Sequence, residues 1–172
     1  LKLILPEANR DFAAERLGFQ VDDARMIGLD DGTHARIAGF DFTGVPAAHN
    51  QLERDDAGRC KFMGYVVRRD GFTIYHSGDT LRYDGMEEYL QRWRIDLALL
   101  PINGNDPGRG VAGNLNAEEA AALAKAVGAG LAVPCHYDMF TFNTAPPAGF
   151  ERACAELAQP CRVLRCGERL ML

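Results

Sequence analysis

Two short apolar runs on either side of an amphipathic helix constrain the fold of this chain more than any other feature. The runs Asp96 to Leu100 and Leu131 to Pro134 have the composition of strands that are buried on both faces. Between them, Asn116 and Glu119 fit a helix capping box, and Gly128 is placed to end that helix. A strand–helix–strand unit joins parallel strands, so the second half of the chain predicts a layered α/β architecture.

The first half of the chain predicts antiparallel strands instead. The runs Phe62 to Arg69 and Phe72 to His76 are joined by Asp70-Gly71, which is a strong hairpin signal because both central residues of the turn need positive φ. Ala35 to Val45 is predicted as one long strand. It ends at Pro46, which has no N–H to donate to a central ladder.

Shorter signals predict the remaining elements. These are a strand at Lys2 to Leu5, a helix ending at Leu17 before Gly18, a weak strand at Ala24 to Leu29, a helix capped by Asp84 and Glu87, a last helix around Phe150 to Ala158, and a final strand at Arg162 to Arg165.

Composition favours a globular protein and argues against a nucleic-acid-binding or membrane protein. Hydrophobic residues make up 47% of the 172 residues and charged residues 25%, which is typical of a globular chain. The 19 basic and 24 acidic residues give a net charge of −5, so we expect no nucleic-acid partner. No apolar run reaches the roughly 20 residues that span a bilayer, so we expect no membrane association. Five cysteines without a Cys-x-x-Cys pair, and no visible signal peptide, favour the cytoplasm.

Three candidate metal ligands follow predicted strands. His49 comes after the strand that ends at Pro46, Asp79 comes after the second strand of the hairpin, and His136 comes after the last buried strand. Ligands of open α/β sheets bind beyond the carboxyl ends of strands, so these side chains are expected to meet at one edge. Imidazole nitrogen and carboxylate oxygen together suit Zn or Mn.

Four segments in order carry a family resemblance. They are His76-Ser-Gly-Asp-Thr, Leu99-Leu-Pro-Ile-Asn-Gly, Gly113-Asn-Leu-Asn-Ala-Glu-Glu-Ala and Pro134-Cys-His-Tyr-Asp-Met-Phe. The chain resembles the metallo-β-lactamase superfamily, and within it the L-ascorbate-6-phosphate lactonase-like branch. The resemblance implies an αββα sandwich with a metal site at its rim. It also implies cytoplasmic, metal-dependent hydrolysis with Zn or Mn as the cofactor.

The resemblance also implies roles for individual residues. His49 matches a histidine ligand, Asp79 matches the catalytic carboxylate that bridges two metals, and His136 matches the last histidine ligand. The family's His-x-His-x-Asp-His motif is absent from the chain. The expectation is therefore a single metallo-β-lactamase domain over residues 1–172 that is N-terminally incomplete. With three ligands, this chain is expected to bind one metal ion weakly or to bind none. An intact protein of the family would bind one or two ions.

Further residues near the expected edge are candidates for substrate contacts or for support of the ligands. Asn103 and Arg109 lie in a glycine-rich loop, where Arg109 is a candidate phosphate contact. Thr80 and Asp138 follow proposed ligands, and Asp138 is either the acceptor for the second N–H of His136 or a turn residue. Tyr137 is either a substrate contact or a packed tyrosine.

Three functions are compatible with these residues. The leading hypothesis is a hydrolase in which a metal-activated water attacks a lactone or a phosphorylated small molecule. The alternatives are a metal-free fragment or self-assembling scaffold, and a phosphodiesterase of the same superfamily. Because an incomplete sandwich leaves apolar surface uncovered, we also expect a homo-oligomer or a poorly stable chain.

Overall fold

Six strands form one mixed sheet in which the strands lie in chain order. The computed structural model describes residues 1–111 and 113–171, except for the side chain of Arg109. The first four strands pair antiparallel and the last three pair parallel. They are β3 (His34–Ile37), β4 (Phe40–Pro46), β5 (Met63–Arg69), β6 (Phe72–His76), β7 (Leu97–Pro101) and β8 (Leu131–Cys135).

A second, two-stranded sheet is built from the first thirty residues. Strands β1 (Leu3–Pro6) and β2 (Met26–Leu29) pair in parallel, and helix α1 (Arg10–Leu17) connects them after a short 3-10 turn. Gly18 closes α1 with a φ of 65°, as the sequence predicted. This unit is joined to the main sheet by the hydrogen bond from Asn9 Nδ2 to the carbonyl of Lys61, at 2.8 Å.

Three helices cover one face of the main sheet and bury the core. They are α2 (Met86–Leu90), α3 (Ala117–Ala126) and α4 (Ala148–Glu156). Alternate strand residues point toward them, and the buried cluster contains Val66, Tyr75 and Leu100 from the sheet together with Leu123 and Phe150 from the helices. The α/β prediction is confirmed in this arrangement of helices against a mixed sheet.

The predicted long strand over Ala35 to Val45 is wrong. The chain turns at Ala38 and Gly39, whose φ angles of 50° and 83° make a tight hairpin between β3 and β4. The signal was weak because alanine, unlike asparagine or aspartate, is uncommon at positive φ. The Asp70-Gly71 hairpin is confirmed, with φ angles of 50° and 82°.

Two further element predictions are corrected. Helix α2 begins after Gly85 and not after Asp84, and no side chain caps its first turn, because its N-cap residue is a glycine. Glu87 pairs with Arg82. The residues around Arg162 to Arg165 form no strand. Their only sheet-like contact in the described chain is a single bridge between Cys161 and Ala132. The capping box of Asn116 and Glu119 is present on α3.

Four strands end at the same edge of the main sheet. Because β4 runs antiparallel to β5 and β5 antiparallel to β6, β4 points the same way as β6, and β7 and β8 are parallel to β6. The segments that follow these four strands therefore leave from one edge, here called the rim. They are residues 47–62, 77–85, 102–116 and 136–147.

Two other expectations concern the whole chain. None of the helices in the described residues is long and apolar enough to cross a bilayer. All five cysteines are free thiols.

Candidate functional site

Asp79 and His136 meet at the rim. The Asp79 Oδ2 and His136 Nε2 atoms are 3.7 Å apart, although 57 positions separate the two residues in sequence. The His136 side chain is 16% exposed and that of Asp79 is 47% exposed, so a half-open carboxylate faces a mostly enclosed imidazole. The structure thus brings together two of the three predicted metal ligands.

His136 is held in an unusual backbone conformation. Its φ is 63°, and that of Asp138 is 55°, both in the left-handed region that residues with a Cβ rarely adopt. Strained residues of this kind cluster at functional sites, where the surrounding structure must hold them in place. Here the hydroxyl of Thr144 accepts a hydrogen bond from the backbone N–H of Asp138 at 2.9 Å and closes the loop.

The second ring nitrogen of His136 has no protein partner. Its Nδ1 atom is buried and makes no hydrogen bond within the described residues, while Asp138 is exposed. The hypothesis that Asp138 accepts this N–H therefore fails in this structure, because the turn directs the aspartate toward solvent. Asp138 follows the alternative prediction of a turn residue.

Thr80 joins three of the rim segments. Its buried hydroxyl accepts a hydrogen bond from the N–H of Ala48 at 2.9 Å and donates to the carbonyl of Leu81 at 2.7 Å. Its own carbonyl accepts from the N–H of Leu115 at 2.8 Å. Since Ala48 precedes His49 and Thr80 follows Asp79, this residue fixes the backbone beside two predicted ligands.

His49 lies close to an aromatic ring and to a glycine. Its ring is centred 5.4 Å from that of Phe62, and a Cβ built on Gly113 of the 102–116 segment would lie 2.7 Å from its Cδ2 atom. Among the described residues no three side chains of the types His, Cys, Asp and Glu lie close enough together to hold one ion. The role of His49 as a third ligand therefore stays a prediction.

Asn103 connects two rim segments that the sequence did not relate. It is 2% exposed, and its Nδ2 donates to Oδ1 of Asn143 at 2.7 Å. Its Oδ1 is buried and has no partner among the described residues, and the same holds for Oδ1 of Asn114 in the same segment. No pattern in the sequence pointed to Asn143. The predicted phosphate contact, Arg109, has its side chain outside the described part of the structure.

A cleft of about 740 Å³ lies next to the His136 loop. The lining includes Tyr137, Asp138 and Met139 from the loop, with Glu151 and Glu168 facing them. The Tyr137 hydroxyl donates to the carbonyl of Leu164, which matches the alternative of a packed tyrosine. Residues of the C-terminal segment, among them Leu164 and Glu168, form another part of the cleft lining.

Exposed apolar side chains surround the histidine end of this loop. Met139 is 66% exposed and Phe140 is 50% exposed, and the Phe140 ring is centred 6.2 Å from that of His136. Sequence reasoning did not identify these two residues, because an apolar side chain gives no signal of its own that it is exposed. They place an apolar surface directly beside the Asp79–His136 pair.

The charge of Asp79 acts on two neighbouring titratable groups. Desolvation of the imidazole lowers the pKa of His76, and the nearby Asp79 carboxylate partly opposes this. The Nδ1 atom of His76 accepts a hydrogen bond from the N–H of Gly78 at 3.0 Å, so this imidazole helps to hold the turn that leads to Asp79. Burial, and then the charge of Asp79, raise the pKa of the Cys135 thiol to about 11, so this thiol remains protonated at neutral pH.

The Asp79–His136 pair fits part of a metal site. Two ligands of one tetrahedral ion, each about 2.1 Å from it, lie about 3.4 Å from each other. The observed separation of 3.7 Å is close to this value and is too long for a hydrogen bond. The pair offers one nitrogen and one oxygen, the donor set that zinc and manganese accept. Further protein ligands or waters are needed to complete the coordination.

Comparisons with known proteins agree with the fold. The family described as "Beta-lactamase superfamily domain" matches residues 4–137. A UPF0173 metal-dependent hydrolase of Rubrobacter xylanophilus is 34% identical over 149 residues, which cover 83% of this chain and 59% of that relative. The chain thus spans about three fifths of the length of this relative.

Solved structures give the same result. Igni18, a metallo hydrolase from Ignicoccus hospitalis, superposes with a TM-score of 0.71 at 26% identity, over 96% of this chain and 65% of that one. The metallo-β-lactamase fold protein YhfI from Bacillus subtilis has a TM-score of 0.70 at 16% identity, over 96% of this chain and 62% of that one. The predicted metallo-β-lactamase fold is confirmed.

Proposed function

Since the chain belongs to the β-lactamase superfamily, we propose that it contributes to a metal-dependent hydrolase with its site at the Asp79–His136 pair. The approach of these two residues, which follow different strands, is the observation that carries the proposal. Relatives that carry the name metal-dependent hydrolase support the reaction class. The five free cysteines support a reducing compartment such as the cytoplasm.

Asp79 and His136 would hold the ion, with His49 as the third predicted ligand. A bound Zn or Mn ion supplies Lewis acidity, which lowers the pKa of water and polarises a substrate oxygen. Asp79 is half-exposed, whereas the His136 side chain is mostly enclosed. We therefore expect water and substrate to approach the pair from the side of Asp79.

A lactone or another neutral ester is the substrate class that we propose. Hydrolysis adds water across the ring C–O bond and yields a hydroxycarboxylate. The apolar side chains of Met139 and Phe140 beside the pair favour a substrate with an apolar portion. The neighbouring cleft, which is lined by Asp138, Glu151 and Glu168 with Arg165 as a basic residue, offers little positive charge to a phosphoester near the pair. We therefore prefer a lactonase over a phosphodiesterase.

Replacing one ligand tests this function. The His136→Ala variant should lose at least tenfold in affinity for Mn²⁺ or Zn²⁺, measured by isothermal titration calorimetry, and should lose lactone hydrolysis. His34→Ala is the matched control, because His34 is exposed at the start of β3. Unchanged metal affinity and hydrolysis in His136→Ala would show that His136 is not a ligand. A wild-type chain that binds neither ion would favour the metal-free scaffold.

A further inference from the structure

Gly113 leaves no room for a side chain beside His49. An ideal Cβ at this position would lie 2.7 Å from Cδ2 of His49, 2.8 Å from Cγ and 2.9 Å from Nε2. Separations under 3.0 Å do not occur between real Cβ atoms and their neighbours, so either the ring or the loop would have to move. The position is thus restricted to glycine by contact with the imidazole as well as by its φ of 82°.

The glycine is itself fixed by its own segment. Its N–H donates to Oδ1 of Asn105 at 3.2 Å, and Leu115, two residues later, donates to the carbonyl of Thr80. The His49 ring also lies near that of Phe62, at a centroid distance of 5.4 Å. The imidazole therefore has as neighbours a phenyl ring and a backbone that is hydrogen-bonded to the 77–85 segment, which carries Asp79.

We propose that Gly113 is a positioning residue, which sets the location of the His49 imidazole and through it the affinity of the rim for a divalent cation. The inference rests on the proposed function, because it takes His49 as a ligand. The inference goes beyond the proposed function because it assigns a role to a residue that has no side chain. The segment that carries Gly113 thereby becomes part of the metal-binding apparatus.

Gly104 provides a matched control within the same segment. Its φ is 87°, so an alanine there has the same backbone strain as at Gly113, but its Cβ would meet only Cβ of Asn116, at 3.8 Å. A comparison of Gly113→Ala with Gly104→Ala therefore separates the contact with His49 from the cost of placing alanine in the left-handed region.

The contact is tested first in the metal-free protein. The chain has only four histidines, so the ring signals of His49 can be assigned by NMR with single His→Ala variants. Gly113→Ala should shift the His49 ring signals, whereas Gly104→Ala should leave them in place. Equal shifts in the two variants, or no shift in either, would overturn the proposal.

The consequence is tested by calorimetric titration with Mn²⁺ and Zn²⁺. Gly113→Ala should weaken binding about tenfold relative to Gly104→Ala, the lower end of what loss of a supporting contact costs a metal site. In a His49→Ala background the same change should have no further effect. Should Gly113→Ala fail to fold, Asn105→Ala, which removes the acceptor for the Gly113 N–H, should weaken binding in the same direction.

The outcomes distinguish this inference from the proposed function. If His136→Ala abolishes metal binding but Gly113→Ala binds metal as tightly as Gly104→Ala, and Asn105→Ala as tightly as the wild type, the positioning role is wrong and the metal site stands. The inference is also wrong if His49→Ala leaves metal affinity unchanged while His136→Ala does not. If His136→Ala has no effect either, the proposed function itself fails.

Discussion

At the scale of single residues, the rim is organised by side chains that hydrogen-bond to neighbouring segments. Thr80 accepts from the backbone of Ala48, and Asn103 donates to the side chain of Asn143. Such bonds tie together segments that are remote in sequence, and each leaves a buried polar group unpaired when it is removed. The position of the candidate ligands therefore depends on residues that do not touch a metal.

Thr80→Val is the clearest test of this dependence. Valine keeps the shape of threonine but leaves the N–H of Ala48 without its acceptor, so the free energy of unfolding should fall by about 1–3 kcal/mol. Urea denaturation monitored by circular dichroism measures the change. Thr141→Val, at an exposed position, is the control and should stay close to the wild type. A Thr80→Val protein as stable as that control would contradict the role given to the hydroxyl.

At the scale of elements, backbone strain in two turns has different consequences. The Ala38-Gly39 turn places an alanine at positive φ only to join β3 to β4, away from the rim. The strained backbone of His136, in contrast, directs a candidate ligand toward Asp79. Removing the strain at Ala38 should therefore leave metal affinity unchanged, whereas the strained backbone of His136 is part of the candidate site.

Ala38→Gly should therefore stabilise the protein. Glycine adopts positive φ without the steric cost of a Cβ, but it also loses more conformational entropy on folding than alanine does. The net effect should raise the free energy of unfolding by about 0.5–1 kcal/mol. Ala35→Gly, in the extended strand of the same hairpin, should instead lose about 0.5–1 kcal/mol. Thermal denaturation of both variants checks the opposite signs, and a loss of stability in both would show that the turn is not strained.

At the scale of the whole molecule, several apolar side chains are left at the surface. A groove of about 340 Å³ on the main sheet is lined by the half-buried Phe40, Val67, Phe72 and Ile74, with Arg69 and Asp70 at its end. Exposed apolar patches of this kind favour association. We therefore propose that the chain forms a homo-oligomer.

Sedimentation velocity tests this proposal directly. The chain should sediment above the monomer mass of 18.9 kDa at micromolar concentration. Val67→Glu should shift the population toward monomer, because it places a charge in the groove. Val21→Glu, at a position that is 48% exposed outside the groove, should leave the distribution unchanged. A wild-type chain that remains monomeric at every concentration would refute the proposed association.

Local chemistry in the sequence was sufficient for most elements of this protein. The capping box of Asn116, the Asp70-Gly71 turn and the buried strands each depend on residues within a few positions of one another, so they can be predicted without tertiary information. The Ala38-Gly39 turn was missed because pairing across the sheet overrides the low preference of alanine for positive φ. The predicted final strand failed because its segment makes only a single bridge to β8.

The sequence alone determined which residue types follow the strands: an aspartate after β6 and histidines after β4 and β8. It also determined that these strands share an edge, because strand direction follows from the order of hairpin and helix connections. Only the tertiary structure decided that Asp79 contacts His136, that Asp138 turns away, and that His49 rests on Gly113. The physical reason is that these contacts depend on side-chain directions and loop paths, which are set by packing between segments far apart in the chain.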